Sequence, residues 1–250
     1  MNTFFEEVRQ TLFPHDEKQH GPLPPILVAM TMVTGLIDAF SFLVLGHIFV
    51  ANMTGNVVFL AFAAAGASGF SIPASLVALG SFILGALGGG QLGSRLEQHR
   101  GRLLTVTAAL QTLLLGVSAV LVGLSGHTMP EGYKYGLIIF LGIAMGLQNA
   151  TARKLAVPDL TTTVLTLTIV GIAADSRLVG GNGSRAGRRL ISVAAMFIGS
   201  FIGSLFILRG SIIAPLVIAL IVMAMIALSA QVLASKDPVW VRPPGPSKRE

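Results

Sequence analysis

Residues 26–50 read ILVAMTMVTGLIDAFSFLVLGHIFV, an almost wholly apolar run with one acid, Asp38, near its middle. A carboxylate at bilayer depth costs roughly 2.5–3.5 kcal/mol on insertion scales. Chains that keep such a group generally use it to hold an ion, a proton or a partner helix. The stretch therefore predicts a membrane-spanning helix that faces a polar interior.

The composition of the whole chain is typical of a membrane protein. Of its 250 residues, 53% are hydrophobic and 11% are charged, and the mean hydropathy is +0.78. Soluble domains average about 25% charged residues. The net charge of +6 comes from cations placed between and after the apolar runs, as the positive-inside bias requires, so the expected partner is the lipid bilayer and not a nucleic acid. The chain has no cysteine, which excludes disulfides and thiolate chemistry.

Six apolar stretches approach or exceed the roughly 20 residues that a bilayer crossing needs. They cover residues 25–46, 74–93, 103–124, 135–151, 190–208 and 212–234. Two shorter apolar segments, 57–67 and 164–174, follow polar clusters at 52–56 and 159–163. Segments of this length are more often re-entrant or half helices. The sequence thus predicts an all-α integral membrane protein with about six transmembrane helices plus two short re-entrant or half helices.

Three matches in the same order predict an internal duplication. Gly-Leu-Ile-Asp-Ala at 35–39 matches Gly-Leu-Gln-Asn-Ala at 146–150, and Asn-Met-Thr at 52–54 matches Asp-Leu-Thr at 159–161. Phe-Ile at 82–83 with Gly88 matches Phe-Ile at 197–198 with Gly203. The predicted organisation is a cytoplasmic amphipathic segment (1–22), a first membrane repeat (23–125), a second membrane repeat (133–235) and a disordered tail (236–250).

The distribution of cations favours six crossings over eight. If both short segments re-enter, nearly all basic residues lie on the cytoplasmic side and only Lys134 and Arg209 lie outside. Both termini are then cytoplasmic. Three crossings per repeat also invert the second copy relative to the first, which is the architecture of many secondary transporters.

Asp38 is the first candidate site residue. It is either a protonatable or cation-binding carboxylate, or a structural acid paired with a neighbouring helix. Its position in the repeat corresponds to Asn149, so the carboxylate itself is not duplicated. The polar side chains available as structural partners are Gln111, Gln148, Asn149 and His47.

The polar clusters supply the other candidates. Asn52, Thr54 and Asn56 predict an unwound backbone that lines a cavity, and Thr161 lies in the corresponding cluster of the second half. The N-terminus of each following short helix would present free N–H groups to an anionic group; plain N-capping is the alternative. Asp159 is either an acid of the site or inner gate, or part of a solvated loop with Arg153 and Lys154. An ion pair between Asp175 and Arg177 is expected at the interface.

The remaining features predict packing and no catalysis. Gly85, Gly89 and Gly93 recur every fourth residue, as do Gly199 and Gly203, so each set predicts a closely packed helix face. A homo-oligomer formed through these faces is left open. The histidines lack metal-ligand spacing and no nucleophile–His–acid grouping occurs, so we expect no catalytic residue, metal site or cofactor.

Residues 35–42 (GLIDAFSF) followed by 49–56 (FVANMTGN) resemble the bacterial YoaK family, also called DUF1275 or UPF0700 transmembrane proteins. The later GLQNA at 146–150 and TTT at 161–163 fit the second half of that family, and the likeness spans roughly residues 25–230. The resemblance implies a multi-pass protein of the bacterial inner membrane. It implies no substrate and no catalytic residue.

The acid within the membrane, the paired short segments and the inverted repeat favour a secondary transporter or permease for an unidentified small solute. Coupling to H⁺ or Na⁺ would run through Asp38. A passive channel and a non-transporting membrane scaffold or assembly partner stay open. The residues predicted to bind the solute or ion are Asp38, Asn52, Thr54, Asn56, Asn149, Asp159 and Thr161.

Overall fold

The structure is a computed structural model that describes residues 2–14, 20–126, 129–163, 165–175, 180, 185–235 and 238–242. Regular structure in these ranges is helical throughout. The helices are α1 (Asn2–Leu12), α2 (Leu23–Val44), α3 (Met53–Ala64), α4 (Ile72–Arg95), α5 (Arg100–Ser125), α6 (Glu131–Leu155), α7 (Leu165–Ala174), α8 (Ala186–Leu208) and α9 (Ala214–Ala234), followed by a 3₁₀ turn at Val239–Val241.

The predicted helix classes are confirmed. Six helices in the described ranges, α2, α4, α5, α6, α8 and α9, are long and apolar enough to cross a membrane. The two short apolar helices, α3 and α7, lie where the sequence predicts short segments. Four of the long helices, α4, α5, α6 and α8, extend beyond their predicted apolar runs; α6, for example, begins at Glu131 and includes Arg153 and Lys154 in its last turn. By contrast, α2 ends at Val44, two residues before the end of its predicted run, and α9 begins at Ala214, two residues after the start of its run.

The chain ends differ from the predicted organisation in one respect. Residues 238–242, expected within a disordered tail, form a turn in which Trp240 is 3% exposed. Its ring packs against Gly21, just before α2, and against Gly101, in the first turn of α5. The other tail residues, 236–237 and 243–250, lie outside the described part of the chain.

Two helix–helix crossings organise the bundle, and the glycine contacts of one correspond to those of the other. α8 packs on α2, and α4 packs on α6. A Cβ added at Gly199 would lie 2.1 Å from the carbonyl oxygen of Met32, and one added at Gly85 would lie 2.1 Å from that of Ile143. Only glycine permits such an approach, because the facing atoms are backbone.

The equivalence extends along both crossings. A Cβ at Gly35 would meet the backbone of Met196 and Ser200, and one at Gly146 would meet the backbone of Phe82 and Ala86. Gly203 contacts Leu36 and Ala39 as Gly89 contacts Leu147 and Ala150. The contacts therefore pair Gly203 with Gly89. The predicted match of Gly203 with Gly88 is one residue out of register, and a Cβ at Gly88 meets nothing within 4 Å.

The contacts also fix the relative directions of the helices. Gly85, Gly89 and Gly93 approach Ile143, Leu147 and Lys154 in order, so α4 and α6 run in the same direction. α2 and α8 are likewise parallel, because Gly199 and Gly203 approach Met32 and Leu36 in order.

One end of the bundle gathers most of the described cations. Arg100, at the start of α5, donates to the carbonyl oxygen of Leu155 at the end of α6. Gly101 lies against Ala234 at the end of α9, so α5 is antiparallel to both α6 and α9. We call this end the basic end; it carries Arg95, Arg100, Arg102, Arg153, Lys154, Arg185 and Arg188.

Candidate functional site

Asp38 holds the start of α3 against the middle of α2. Its Oδ1 accepts a hydrogen bond from the backbone N–H of Ala51 at 3.1 Å, and the amides of Val50 and Asn52 lie beside the same carboxyl group. The residue is only 5% exposed. The structural alternative for Asp38 anticipated a side-chain partner on a neighbouring helix. The recorded partner is instead the backbone of the segment that leads into α3.

Asn56 completes the attachment. Its side chain is fully buried; Oδ1 accepts from the N–H of Phe49 at 2.9 Å and Nδ2 donates to the carbonyl oxygen of the same residue. The expectation of an unwound backbone across 52–56 is wrong, because α3 already begins at Met53. Asp38 and Asn56 supply the hydrogen bonds that make a helix start possible at this depth. The N-cap residue, Asn52, makes no side-chain capping bond.

α3 starts deep in the bundle and runs toward the end opposite the basic end. Its first residues lie beside Asp38 in the middle of α2, whereas the chain after it lies beside the chain after α2, where Nδ1 of His47 is 3.1 Å from the carbonyl oxygen of Gly69. A cluster of stacked and tilted rings fills this region. We call it the aromatic cluster; its members are Phe42, His47, Phe49, Phe59, Phe62 and Phe70.

Asn149 positions the start of α7, as Asp38 positions the start of α3. Its Oδ1 accepts from the hydroxyl of Thr163, which stands two residues before α7, and its Nδ2 donates to the carbonyl oxygen of Met145 at 2.9 Å. The separation of Asn149 from Asp38 equals that of Gly146 from Gly35. By the same interval Asn52 corresponds to Thr163 and not to Asp159, so the predicted match of the two polar clusters is out of register.

Asp159 lies in an ionic cluster at the basic end. Its carboxylate is 2.9 Å from Nε of Arg189 and 3.6 Å from a guanidinium nitrogen of Arg185. Arg189 also binds Asp175 at 2.8 Å. The predicted partner of Asp175, Arg177, lies outside the described residues. Asp159 is therefore engaged with α8 and does not face Asn52.

Two adjoining cavities lie between the halves. The central cavity, about 520 Å³, lies between the starts of α3 and α7 and is lined by Asn52, Thr54, Asn149, Thr163 and Thr166 among others. A larger cavity of about 920 Å³ reaches Arg153, Lys154 and Thr161 at the basic end. Phe82, Asn149 and Thr163 line both, so the two spaces adjoin. No charged residue lines the central cavity in the described part of the chain.

The family model described as "Protein of unknown function (DUF1275)" matches residues 26–229, most of the chain. The protein belongs to the DUF1275 family. It is 32% identical over 151 residues to the UPF0700 transmembrane protein YoaK of Bacillus subtilis (strain 168), an alignment that covers 60% of this chain and 65% of YoaK. The matched region thus spans less than two thirds of the relative's length. No solved structure matches this chain.

In this DUF1275 protein, the predicted site residues separate into three groups. Asn52, Thr54 and Asn149 line the central cavity, and Thr161 lines the cavity at the basic end. Asp38 and Asn56 stand behind the central cavity and fix the start of α3. Asp159 stands alone as the third group, because it is held in the ionic cluster.

Sequence reasoning missed several lining residues. Phe82 and Met196 both line the central cavity. They occupy equivalent positions in the two crossings, because the carbonyl oxygen of Phe82 packs against a glycine of α6 and that of Met196 packs against a glycine of α2. Both are apolar residues in apolar helices, so only the pairing of Gly35 with Gly146 could have identified them. Thr166 also lines the cavity. Among the described residues, no group of three or more His, Asp or Glu side chains is arranged to hold a metal ion.

Proposed function

We propose that this protein is a secondary transporter or permease for a small solute, which binds in the central cavity between α3 and α7. One observation carries the proposal: both short helices begin at the same cavity, each fixed by a polar side chain from the first long helix of its half. First-turn residues of α3, Met53, Thr54 and Gly55, line this cavity. Half helices that start at a shared midplane site are the recurrent binding architecture of secondary transporters.

The directions of the helices support an inverted repeat. α2 begins at the basic end, near Trp240 and Gly101, whereas α6 ends there, near Arg100. The chain between them crosses through α4 and α5, while α3 starts deep in the bundle and returns toward the opposite end, as expected of a re-entrant element. The positive-inside rule makes the basic end cytoplasmic. On this proposal, the second half has the structure of the first half in the opposite orientation across the membrane.

The cavities favour alternating access over a continuous pore. The central cavity adjoins the larger cavity at the basic end, whereas Phe59, a member of the aromatic cluster, lines it toward the other end. On this proposal, the arrangement would correspond to a state open toward the cytoplasm. The outward-open state would separate the rings of the aromatic cluster and close the contacts around Arg153 and Lys154.

Accessibility of Thr54 tests this proposal without knowledge of the solute. The natural chain has no cysteine, so Thr54→Cys introduces a single thiol into the central cavity. We expect a membrane-impermeant maleimide to label it in inside-out vesicles, and to label it slowly in intact cells. Rapid labelling from both sides would indicate a passive channel. Ser94→Cys, on the exposed basic end, is the matched control for sidedness.

Solute binding gives the second arm of the test. Purified protein is screened for thermal stabilisation by a panel of small metabolites, and each stabilising solute is assayed for counterflow in proteoliposomes. Asp38→Asn then tests ion coupling: if Asp38 carries the coupling ion, the gradient dependence of uptake disappears while counterflow persists. Stable co-purification with one membrane protein, without any stabilising solute or counterflow, would replace transport by a scaffold role.

A further inference from the structure

A separate polar cavity lies at the basic end, beneath α1. It has a volume of about 390 Å³ and is lined by Glu7, Gln10, Thr11, His20, Arg185 and Arg188, together with one proline. None of these residues belongs to the central cavity. We propose that this cavity binds a phosphate group, carried either by an anionic lipid headgroup or by a soluble phosphate. The proposal does not depend on the transport function.

The charges around the cavity favour an anion. Arg185 and Arg188 line it, and Arg100 lies next to it, with a guanidinium nitrogen 3.5 Å from Nδ1 of His20. Burial and the positive charges of Arg100, Arg188 and Arg185 lower the pKa of His20. Asp159 offsets part of this charge, but it is shared between Arg185 and Arg189. Guanidinium groups that converge on one space are the usual protein ligands of phosphate.

The protein already places one carboxylate at the edge of this cavity. Oε2 of Glu7, from α1, accepts the N–H of Gly187 in the first turn of α8 at 3.0 Å. Arg188 also lies toward α1, with Nε 3.5 Å from the hydroxyl of Thr11. The space next to α8 therefore accepts an anionic oxygen in the structure itself. A phosphate entering the cavity would meet Arg185 and Arg188, and it would compete with Glu7 for the amide of Gly187.

The surroundings of the cavity give a lipid access to it. α1 buries Thr11 against α8, whereas Phe5 in α1 and Phe13 immediately after it are about two thirds exposed, at 68% and 66%. A helix with exposed aromatic residues and a polar inner face is typical of elements that lie in the plane of the bilayer surface. Basic cavities at the cytoplasmic ends of transmembrane helices recur as sites for anionic headgroups.

Lipid titration of the purified full chain tests the proposal. Thermal stability is followed in mixed micelles as phosphatidylglycerol or phosphatidylcholine is added, and separately with inorganic phosphate against chloride at equal ionic strength. We expect stabilisation by phosphatidylglycerol at concentrations where phosphatidylcholine has no effect. Stabilisation by both phosphatidylglycerol and inorganic phosphate would assign a soluble phosphate as the source; stabilisation by the lipid alone would assign the headgroup.

Variants keep the proposal falsifiable. Arg188→Gln should weaken the apparent affinity about tenfold, as expected for the loss of one charge-assisted hydrogen bond. Arg209→Gln is the matched control, because it removes a cation at the other end of α8. Glu7→Gln removes the competing carboxylate, so it should bind more tightly than the natural chain, a gain that misfolding cannot mimic. Equal responses of the Arg188 and Arg209 variants, or no gain in the Glu7 variant, would overturn the proposal.

Discussion

At Gly85 and Gly199 a missing side chain sets the distance between two helices. The facing atoms are backbone atoms of Ile143 and Met32, which cannot rotate away as a side chain would. Van der Waals packing, and not the hydrophobic effect, holds membrane helices together, so close approach contributes directly to stability. These glycine faces are occupied within one chain. A homo-oligomer would have to use other surfaces.

A substitution pair on α4 tests this packing. We expect Gly85→Ala to destabilise the protein by about 1–3 kcal/mol, because the new Cβ overpacks the contact with α6. Gly88→Ala, on the same helix with open space around it, should be neutral or slightly stabilising, since alanine is the better helix former. Thermal unfolding in detergent measures both. Similar melting temperatures for the two variants would contradict the close crossing.

His20 predicts a pH dependence of stability. Its pKa is lowered in the folded state by burial and by Arg100, Arg188 and Arg185, while Glu7 lines the same cavity. As the pH falls from about 7.5 to about 5.5, the unfolded state takes up a proton that the folded state resists, so stability decreases. His20→Gln should show a smaller loss of melting temperature across this range. An identical loss in both proteins would contradict the prediction.

At the scale of the element, the start of α3 depends on two side chains, one on α2 and one in the first turn of α3 itself. Asp38 binds the segment before the helix, and Asn56, in its first turn, binds both backbone groups of Phe49. Asn52, although it is the N-cap residue, makes no such bond and is exposed to the central cavity. Of these two asparagines, four residues apart, Asn56 attaches the start of α3 and Asn52 is exposed to the central cavity.

This division predicts opposite phenotypes. Asn56→Ala should destabilise the protein by about 1–3 kcal/mol for each buried backbone group left unpaired, and it should raise hydrogen exchange across 49–56. Asn52→Ala should leave the melting temperature nearly unchanged and alter only stabilisation by solutes. Comparable destabilisation by the two substitutions would mean that Asn52 also carries structural hydrogen bonds.

The sequence predicted helix number well and helix starts less well, for a physical reason. Span length depends on local apolar content, so the six crossings and two short segments could be read directly. The start of α3 depends on contacts of Asp38 and Asn56 with residues seven to thirteen positions away, which local pattern does not reveal. Identity matches also misplaced the repeat register, because Phe82 and Phe197 are alike without occupying equivalent positions.

At the scale of the whole molecule, the loops before and after α3 lie at the same end of the bundle. His47 and Gly69 are in contact, so the chain after α2 and the chain before α4 lie together. Lys134, before the apolar part of α6, lies near Gly46 and therefore belongs to the same end. The basic end is the other surface. In the described part of the chain, this arrangement favours six crossings, made by the six long apolar helices, with α3 re-entrant.

Single-cysteine labelling checks this arrangement in cells. Ser68 is the better probe of the α3–α4 loop, because it is exposed, whereas Ser71 caps α4 through the N–H of Ala74. We expect an impermeant maleimide to label Ser68→Cys in intact cells and Ser94→Cys only after permeabilisation. The reverse pattern would indicate either that α3 crosses the membrane or that the termini lie outside. Labelling of both thiols from one side would mean that α4, the helix between them, does not cross the membrane.

The two equivalent crossings also determine when the helices can pack together during synthesis. α2 pairs with α8 and α4 with α6, so both of these crossings join one half of the chain to the other. α2 is therefore synthesised well before α8, so it enters the bilayer while its helix face at Gly35 has no partner to pack against. The first half should then be a target for proteolysis when it is expressed alone. Two separately encoded halves should rescue each other only when they are inserted together, in opposite orientations.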